Sequence, residues 1–285
     1  MDSIKLIECP RDAMQGLTYF VDTELKIEYI NALLEVGFDT LDVGSFVSPK
    51  MIPQMRDTPE VLDKINWSKS RTKLLTIVGN RNGAERAVAH EQVTYLGYPF
   101  SISETFQKKN TNATIIESLT RLREIQDLCY TNSKTLVVYL SMGFGNPYGD
   151  FWSPNLVEDW TKKIKEEYGV KIISLSDTIG AANPTLIREV FERILPNNQD
   201  IEIGAHLHAK PNEWQAKIEA AKQAGCMRFD GAIKGYGGCP YASDRLTGNI
   251  PTELMLQWFE AHKLHTNLDM DKLNQAIAIS RKIFK

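Results

Sequence analysis

A chain of 285 residues, 42% hydrophobic and 24% charged, has the length and composition of one large globular domain or two smaller ones. Its formal net charge of −3, with acids and bases interspersed, offers no basic block for nucleic acid and leaves anionic small molecules open as substrates. No apolar run is long enough to span a membrane, the opening MDSIKLIECPRDAM reads straight into a strand instead of a secretory leader, and four cysteines without CxxC spacing argue for a reducing cytoplasm over a disulfide framework.

Apolar runs and helical patterns alternate along the whole chain. A first strand over 4–9 is followed by a helix that puts Leu25, Ile30, Leu33 and Leu34 on one face and stops at Gly37. Strands are expected next over 40–46, 72–78 and 92–100, separated by helices from Thr58 to Ile65 and from about Gly83 to His90. A long helix from about Thr114 to Tyr130 leads to a strand over 135–144. A helix capped by Ser153, opened by Pro154 and stopped by Gly169 precedes a strand over 170–177. The Asn-Pro pattern recurs at Asn183 and Pro184, before strands over 201–208 and 226–233 with a helix between them ending at Gly225. A last helix starts near Pro251. Eight strand–helix units in this length fit a parallel (β/α)8 TIM barrel, with an open doubly wound sheet as the alternative. No composition break marks a linker, so the chain reads as one domain, a barrel to about residue 264 and a short amphipathic helical tail beyond it. Such a tail either packs on its own barrel or helps outer helices build a homo-oligomer, a dimer being the expected form.

In a barrel of this kind the strand ends and the loops that follow them make the active face. The chemically distinctive residues collect there: Arg11, Asp12 and Gln15 after the first strand, Asp42 and Ser45 on and after the second, Lys108, Lys109 and Asn110 after the fourth, Asp177 at the end of the sixth, His206 and His208 at the end of the seventh, and GYGGCPYASDRLTGN after the eighth. Residues two apart on a strand point the same way, so His206 and His208 form a divalent-metal half-site, although two hydrogen-bonded polar residues would give the same pattern. Asp12 and Asn249 would add oxygen ligands, a set suited to Mg²⁺ or Mn²⁺ and tolerant of Zn²⁺. Arg11 beside Asp12 suits a reaction that develops negative charge on oxygen, or makes a plain salt bridge, and Asp42 would hold the arginine in place. Asp177 either faces the mouth and assists a substrate hydroxyl or caps the next helix. Lys108 and Lys109 either attract an anionic group or are merely solvated. Cys239, between Gly238 and Pro240, is a proton donor, a nucleophile or a small plug, whereas Cys9, Cys129 and Cys226 read as core.

Taken together, PRDAMQ, GSFVSPKMIPQM, SETFQKKN, SLSDTIG, HLH and GYGGCPYASDRLTGN resemble the hydroxymethylglutaryl-CoA lyase family, in order from residue 10 to residue 249. That family belongs to the metal-dependent lyases and condensing enzymes that carry an Asp-Arg-Glu signature on a TIM barrel. The resemblance implies retro-Claisen cleavage of 3-hydroxy-3-methylglutaryl-CoA to acetyl-CoA and acetoacetate. It implies a metal site of Asp12, His206, His208 and Asn249, an enolate-holding Arg11, and a loop that brings Cys239 in as the acid. His206, Asp177 or Asp12 would take the hydroxyl proton. Gln15, Ser45, Lys108, Lys109, Asn110 and Lys234 are the candidate substrate contacts, with an acyl-CoA as the partner.

Departures from the family pattern fall on the rim. Asp42 stands where the family has glutamate, and Leu17 and Thr18 replace a Glu-Lys pair. Ala209, Lys210 and Pro211 follow the histidines, Lys234, Gly235 and Tyr236 precede the double glycine, and Asn146 takes a cysteine position. These changes leave room for a related lyase or condensing enzyme acting on another acyl-CoA or 2-oxo acid. They also leave room for a catalytically silent barrel used for binding.

Overall fold

The computed structural model describes residues 4–238 and 247–285. The first half of the chain runs β1 (Lys5–Glu8), α1 (Pro10–Gln15), α2 (Thr23–Val36), β2 (Thr40–Ser45), α3 (Thr58–Lys64), β3 (Lys73–Ile77), α4 (Arg81–Val88), β4 (Val93–Ser101), α5 (Glu104–Thr111) and α6 (Ile115–Thr131). The second half runs β5 (Thr135–Ser141), α7 (Pro154–Tyr168), β6 (Ile172–Asp177), α8 (Pro184–Ile194), β7 (Glu202–Ala209), α9 (Trp214–Gln223), β8 (Arg228–Gly231), β9 (Gly248–Asn249), α10 (Thr252–Ala261) and α11 (Met270–Ile283). Strands β1 to β8 are parallel and pair in sequence order. The ring closes where β8 joins β1, with Lys5 opposite Arg228 and Ile7 opposite Asp230. This is the expected TIM barrel.

The helix boundaries follow from local chemistry. Asp22, Asn80, Ser153 and Asn183 cap helices by accepting a backbone N–H, and Gly37 and Gly169 end α2 and α7 in the left-handed conformation. Two stretches expected as loops are helical. PRDAMQ forms α1, with Pro10 in its first turn, and ETFQKKNT forms α5, capped by Ser103. β9, the other unexpected element, runs antiparallel to β7 and sets Asn249 directly opposite His208. The tail helix α11 lies on α2 of its own barrel, burying Leu273, Ala276, Ser280 and Ile283. No helix among the described residues is long and apolar enough to cross a membrane.

Two apolar clusters hold the barrel. The larger packs between strands and helices, and a smaller one fills the barrel with Leu75, Ile77, Tyr95, Val137, Tyr139 and Ile172. Below the mouth the interior turns polar. Arg228, 1% exposed, lies against Gly204 of the neighbouring strand, where a Cβ would stand 2.9 Å from its Cδ, and donates to Glu202.

Glu8 faces outward from β1 and pins it to the chain after β8. It accepts from Ile233 N (2.8 Å) and Thr252 Oγ1 (2.5 Å). Full burial pushes its carboxyl up to about 8, against the pull of those two hydrogen bonds. The unfolded carboxyl ionises near the ordinary 4.5, so the native state loses stability as pH rises from there to about 8. Glu8→Gln should therefore gain on wild type, by roughly 1–3 kcal/mol, between pH 5 and pH 9. Paired thermal melts at the two pH values check this, and a gap that does not change with pH contradicts it.

Candidate active site

The site begins where β1 turns into α1. The first turn of that helix brings Arg11 and Asp12 side by side at the barrel mouth, both buried. Arg11 places Nε (2.9 Å) and Nη2 (2.5 Å) on one oxygen of Asp42, and Nη1 on Asp12 Oδ1 (3.1 Å) and Gln15 Oε1 (2.8 Å). Gln15 Nε2 closes the ring by donating to Asp12 Oδ1 at 2.7 Å. The other oxygen of Asp42 is buried without a hydrogen-bond partner. The arginine thus grips this aspartate through a single oxygen.

The β7 histidines approach Asp12 from across the mouth. Asp12, His206 and His208 each offer a ligand atom, all within 4.8 Å of one another. Asn249 joins them from β9, its Nδ2 donating to Asp12 Oδ2 (2.7 Å) and Tyr236 O (2.8 Å). His208 Nδ1–H donates to Thr178 O at 3.2 Å, a carbonyl that can only accept. Its Nε2 therefore carries the lone pair, and this atom is buried with no partner. A buried imidazole nitrogen with a free lone pair, beside a carboxylate, is what a divalent cation would satisfy, so the donor set fits a metal.

The two imidazoles differ electrostatically. Burial, helped by the neighbouring His206, pushes His208 down to about 4, so it is neutral and free to ligate at neutral pH. Burial also works against a charged His206, but Asp230, with Oδ2 3.0 Å from its Nδ1, overrides this, and Asp12 adds to the effect. His206 is accordingly raised above the ordinary histidine value. Asp12 shows the opposite balance. Burial would raise it, yet Arg11, His206 and His208 hold it below the usual carboxylate range. Asp42 is pushed up to about 6 by burial, which Arg11 only partly offsets.

Other expected site residues are placed differently. Asp177, expected either to face the mouth and assist a hydroxyl or to cap the next helix, does neither, since Asn183 caps that helix. On β6 it is Ser176 that pairs with His206, and Asp177 pairs with Leu207 on the outer side of the wall. Its carboxylate accepts from Lys217 Nζ (2.8 Å) and the N–H of Ala182 (3.2 Å), and burial leaves its pKa raised despite that lysine. The hydroxyl of Ser45 donates to Ile77 O and accepts from Val47 N, which engages it with backbone. Lys108 is exposed and paired with Glu104 at 3.0 Å, Lys109 Nζ lies 4.3 Å from the centre of the Tyr148 ring, and Asn110 is half-buried near the end of α5. Lys234, left-handed at φ 61°, turns its ammonium toward Glu253 on α10 (3.5 Å). Cys239 lies outside the described residues. Asn146, at the cysteine position, staples its own loop by accepting from Tyr148 N and Asp150 N.

Three participants escaped sequence reasoning. Asp230 points inward from β8, a placement legible only from the alternation Arg228, Asp230, Ala232 once its phase is known. Cys9, read as core, offers its thiol within 4.8 Å of ligand atoms of His206 and Asp230. Burial pushes that thiol well above its ordinary value, the nearby carboxylates adding to it, so it stays neutral. Lys217 lies on α9, where nothing in the sequence sets it apart from a surface lysine.

The HMGL-like family model matches residues 4–279. The chain belongs to the HMGL-like family. Among relatives of this HMGL-like chain, the hydroxymethylglutaryl-CoA lyase YngG of Bacillus subtilis is 34% identical over 273 residues, 94% of this chain and 88% of that protein. A crystal structure of the Bacillus subtilis HMG-CoA lyase superposes with a TM-score of 0.93 at 33% identity, covering 99% of this chain and 94% of the other. An HMG-CoA lyase from Acinetobacter baumannii, solved with coenzyme A and 3-methylmalate, superposes with a TM-score of 0.90 at 30% identity, covering 99% and 91%. The HMGL-like family is a lyase family, and these matches extend over the whole barrel, including the elements that carry Arg11, Asp12, His206, His208 and Asn249.

Proposed function

We propose that this chain cleaves 3-hydroxy-3-methylglutaryl-CoA to acetyl-CoA and acetoacetate with one divalent cation, Mg²⁺ or Mn²⁺ in preference to Zn²⁺. The observation that carries the reading is the convergence of Asp12, His206 and His208 beside Arg11 at the mouth of a barrel of the HMGL-like family. Of the four expected ligands, Asp12, His208 and Asn249 would hold the ion, leaving His206 to carry a proton. When bound, such a cation acidifies a hydroxyl that it contacts.

The chain's own residues supply the rest. His206 is the base assigned to the hydroxyl proton, because Asp230 favours its cationic form while His208 stays neutral. Loss of that proton expels the acetyl-CoA enolate. Arg11, oriented by Asp42 and Gln15, presents a guanidinium to the enolate oxygen. Cys239 is offered as the acid that returns a proton to carbon, on the strength of its place in the sequence between Gly238 and Pro240.

Incubating the purified protein with 3-hydroxy-3-methylglutaryl-CoA and Mn²⁺ should release acetoacetate. EDTA should abolish the release and added Mn²⁺ restore it. Stoichiometric metal binding without release, under Mg²⁺ or Mn²⁺, would move the substrate to another acyl-CoA or a 2-oxo acid. The departures at Asp42 and Lys234 leave room for that second reading, and the retained Arg11, Asp12, His206, His208 and Asn249 weigh against a silent barrel.

A further inference from the structure

Lys217 is a buried cation with no part in the chemistry above. It is 2% exposed and spends all three ammonium hydrogens. They go to Asp177 Oδ2 (2.8 Å), Gly180 O (2.9 Å) and His208 O (2.8 Å). Three elements meet at this one nitrogen: the end of β6, the turn after it, and the end of β7. The clamped points, 177 and 180, flank Thr178, whose carbonyl accepts from His208 Nδ1 and whose hydroxyl accepts from Met142 N at 2.8 Å. Lys217 therefore holds both the backbone of His208 and the carbonyl that orients its ring.

The same turn packs against the entry to β9. Gly180 has φ +70°, and a Cβ there would stand 2.5 Å from Thr247 Cγ2. Thr247 leads directly into Gly248 and Asn249, which pair with Ala209 and His208. A buried ion pair is a weak source of stability, since apolar or neutral replacement of both partners is often tolerated. Its geometric effect here is concentrated on two residues of the proposed metal site.

We infer that Lys217, with Asp177 as its counter-ion, is a positioning residue that sets His208 and Asn249 for the cation, and that Asp177 takes no part in proton transfer. The inference rests on the metal reading given above. Outer partners that fix a ligand's orientation typically change metal affinity by 10–100-fold when removed.

The test is Mn²⁺ affinity, measured by electron paramagnetic resonance and calorimetry on the full-length protein. Wild type should bind one ion, and failure to do so would remove the metal reading itself. Asp177→Asn/Lys217→Met leaves no lone buried charge. With its fold checked by circular dichroism and thermal unfolding, it should bind Mn²⁺ about tenfold or more weakly. Its turnover should recover as Mn²⁺ is raised. An affinity within twofold of wild type overturns the inference. Should that variant not fold, Asp177→Asn/Lys217→Gln is judged by the same criterion. Asp177→Asn alone leaves Lys217 as a lone buried charge, so Mn²⁺ affinity and turnover should fall together, and turnover should recover as Mn²⁺ is raised. Normal Mn²⁺ binding with turnover lost more than about 100-fold would instead make Asp177 a proton carrier.

Discussion

Asp12→Ala should lose Mn²⁺ binding by at least about 100-fold and, with it, turnover. Asp12 is the one carboxylate in its cluster with His206 and His208 among the described residues, so it brings the negative charge that a cation requires. It is also a structural hub, with Oδ1 accepting from Arg11 and Gln15 and Oδ2 from Asn249. Alanine would strip acceptors from three donors, those of Arg11 and Asn249 buried and that of Gln15 half-buried, as well as removing the ligand. Asp12→Asn separates the two effects, because the amide keeps an acceptor while losing the charge. If ligation is what matters, it should bind Mn²⁺ nearly as poorly as alanine while melting closer to wild type. A folded Asp12→Ala protein with wild-type Mn²⁺ affinity, or turnover that survives EDTA, would sink the metal mechanism.

Arg11→Lys should reduce kcat by roughly 100- to 1000-fold, with metal affinity changed little. The guanidinium reaches Asp42, Asp12 and Gln15 at once, through a planar fork that a single ammonium nitrogen does not reproduce. Deleting the charge outright with Arg11→Met would leave Asp42 and Asp12 buried beside each other, and burial already holds Asp42 at about 6. Lysine keeps that charge balance, so a fall in kcat reports lost aim at the enolate oxygen more than lost stability. Calorimetry with Mn²⁺ alone and steady-state kinetics under saturating Mn²⁺ give the two numbers needed. Turnover above a tenth of wild type in the lysine variant would remove Arg11 from the charge-stabilising role.

Much of this barrel was legible because its periodicities are strong. Strands alternate with capped helices, and the caps Ser153 and Asn183 and the stop at Gly169 sit where the residue types place them. His206 and His208 could be paired from sequence because a two-residue spacing on any strand keeps side chains on one face. Spacing within a strand does not give its phase relative to the next. The sequence leaves Asp177 either facing the mouth or capping a helix, and the register of β6 on β7 turns Ser176 inward in its place. Asp230 was passed over for the same reason, since its inward phase emerges only from closure of β8 on β1. Lys217 belongs to a third kind. Its role comes from the packing of α9 behind β7, a long-range relation that local patterning does not encode. PRDAMQ and ETFQKKNT look like loops because polar residues dominate them, yet a leading Pro10 and a capping Ser103 are enough to start each short helix.

The two-residue strand β9 would tie strand pairing and cation binding into one equilibrium. His208 and Asn249 face each other across its pairing with β7, and the segment 239–246, with Cys239 at its head, enters that strand at Thr247 and Gly248. An ion held by both residues would add its own affinity to the pairing, and the pairing would add the same free energy to the ion's affinity. Amide hydrogen exchange at Gly248 and Asn249 then becomes a gauge of cation occupancy.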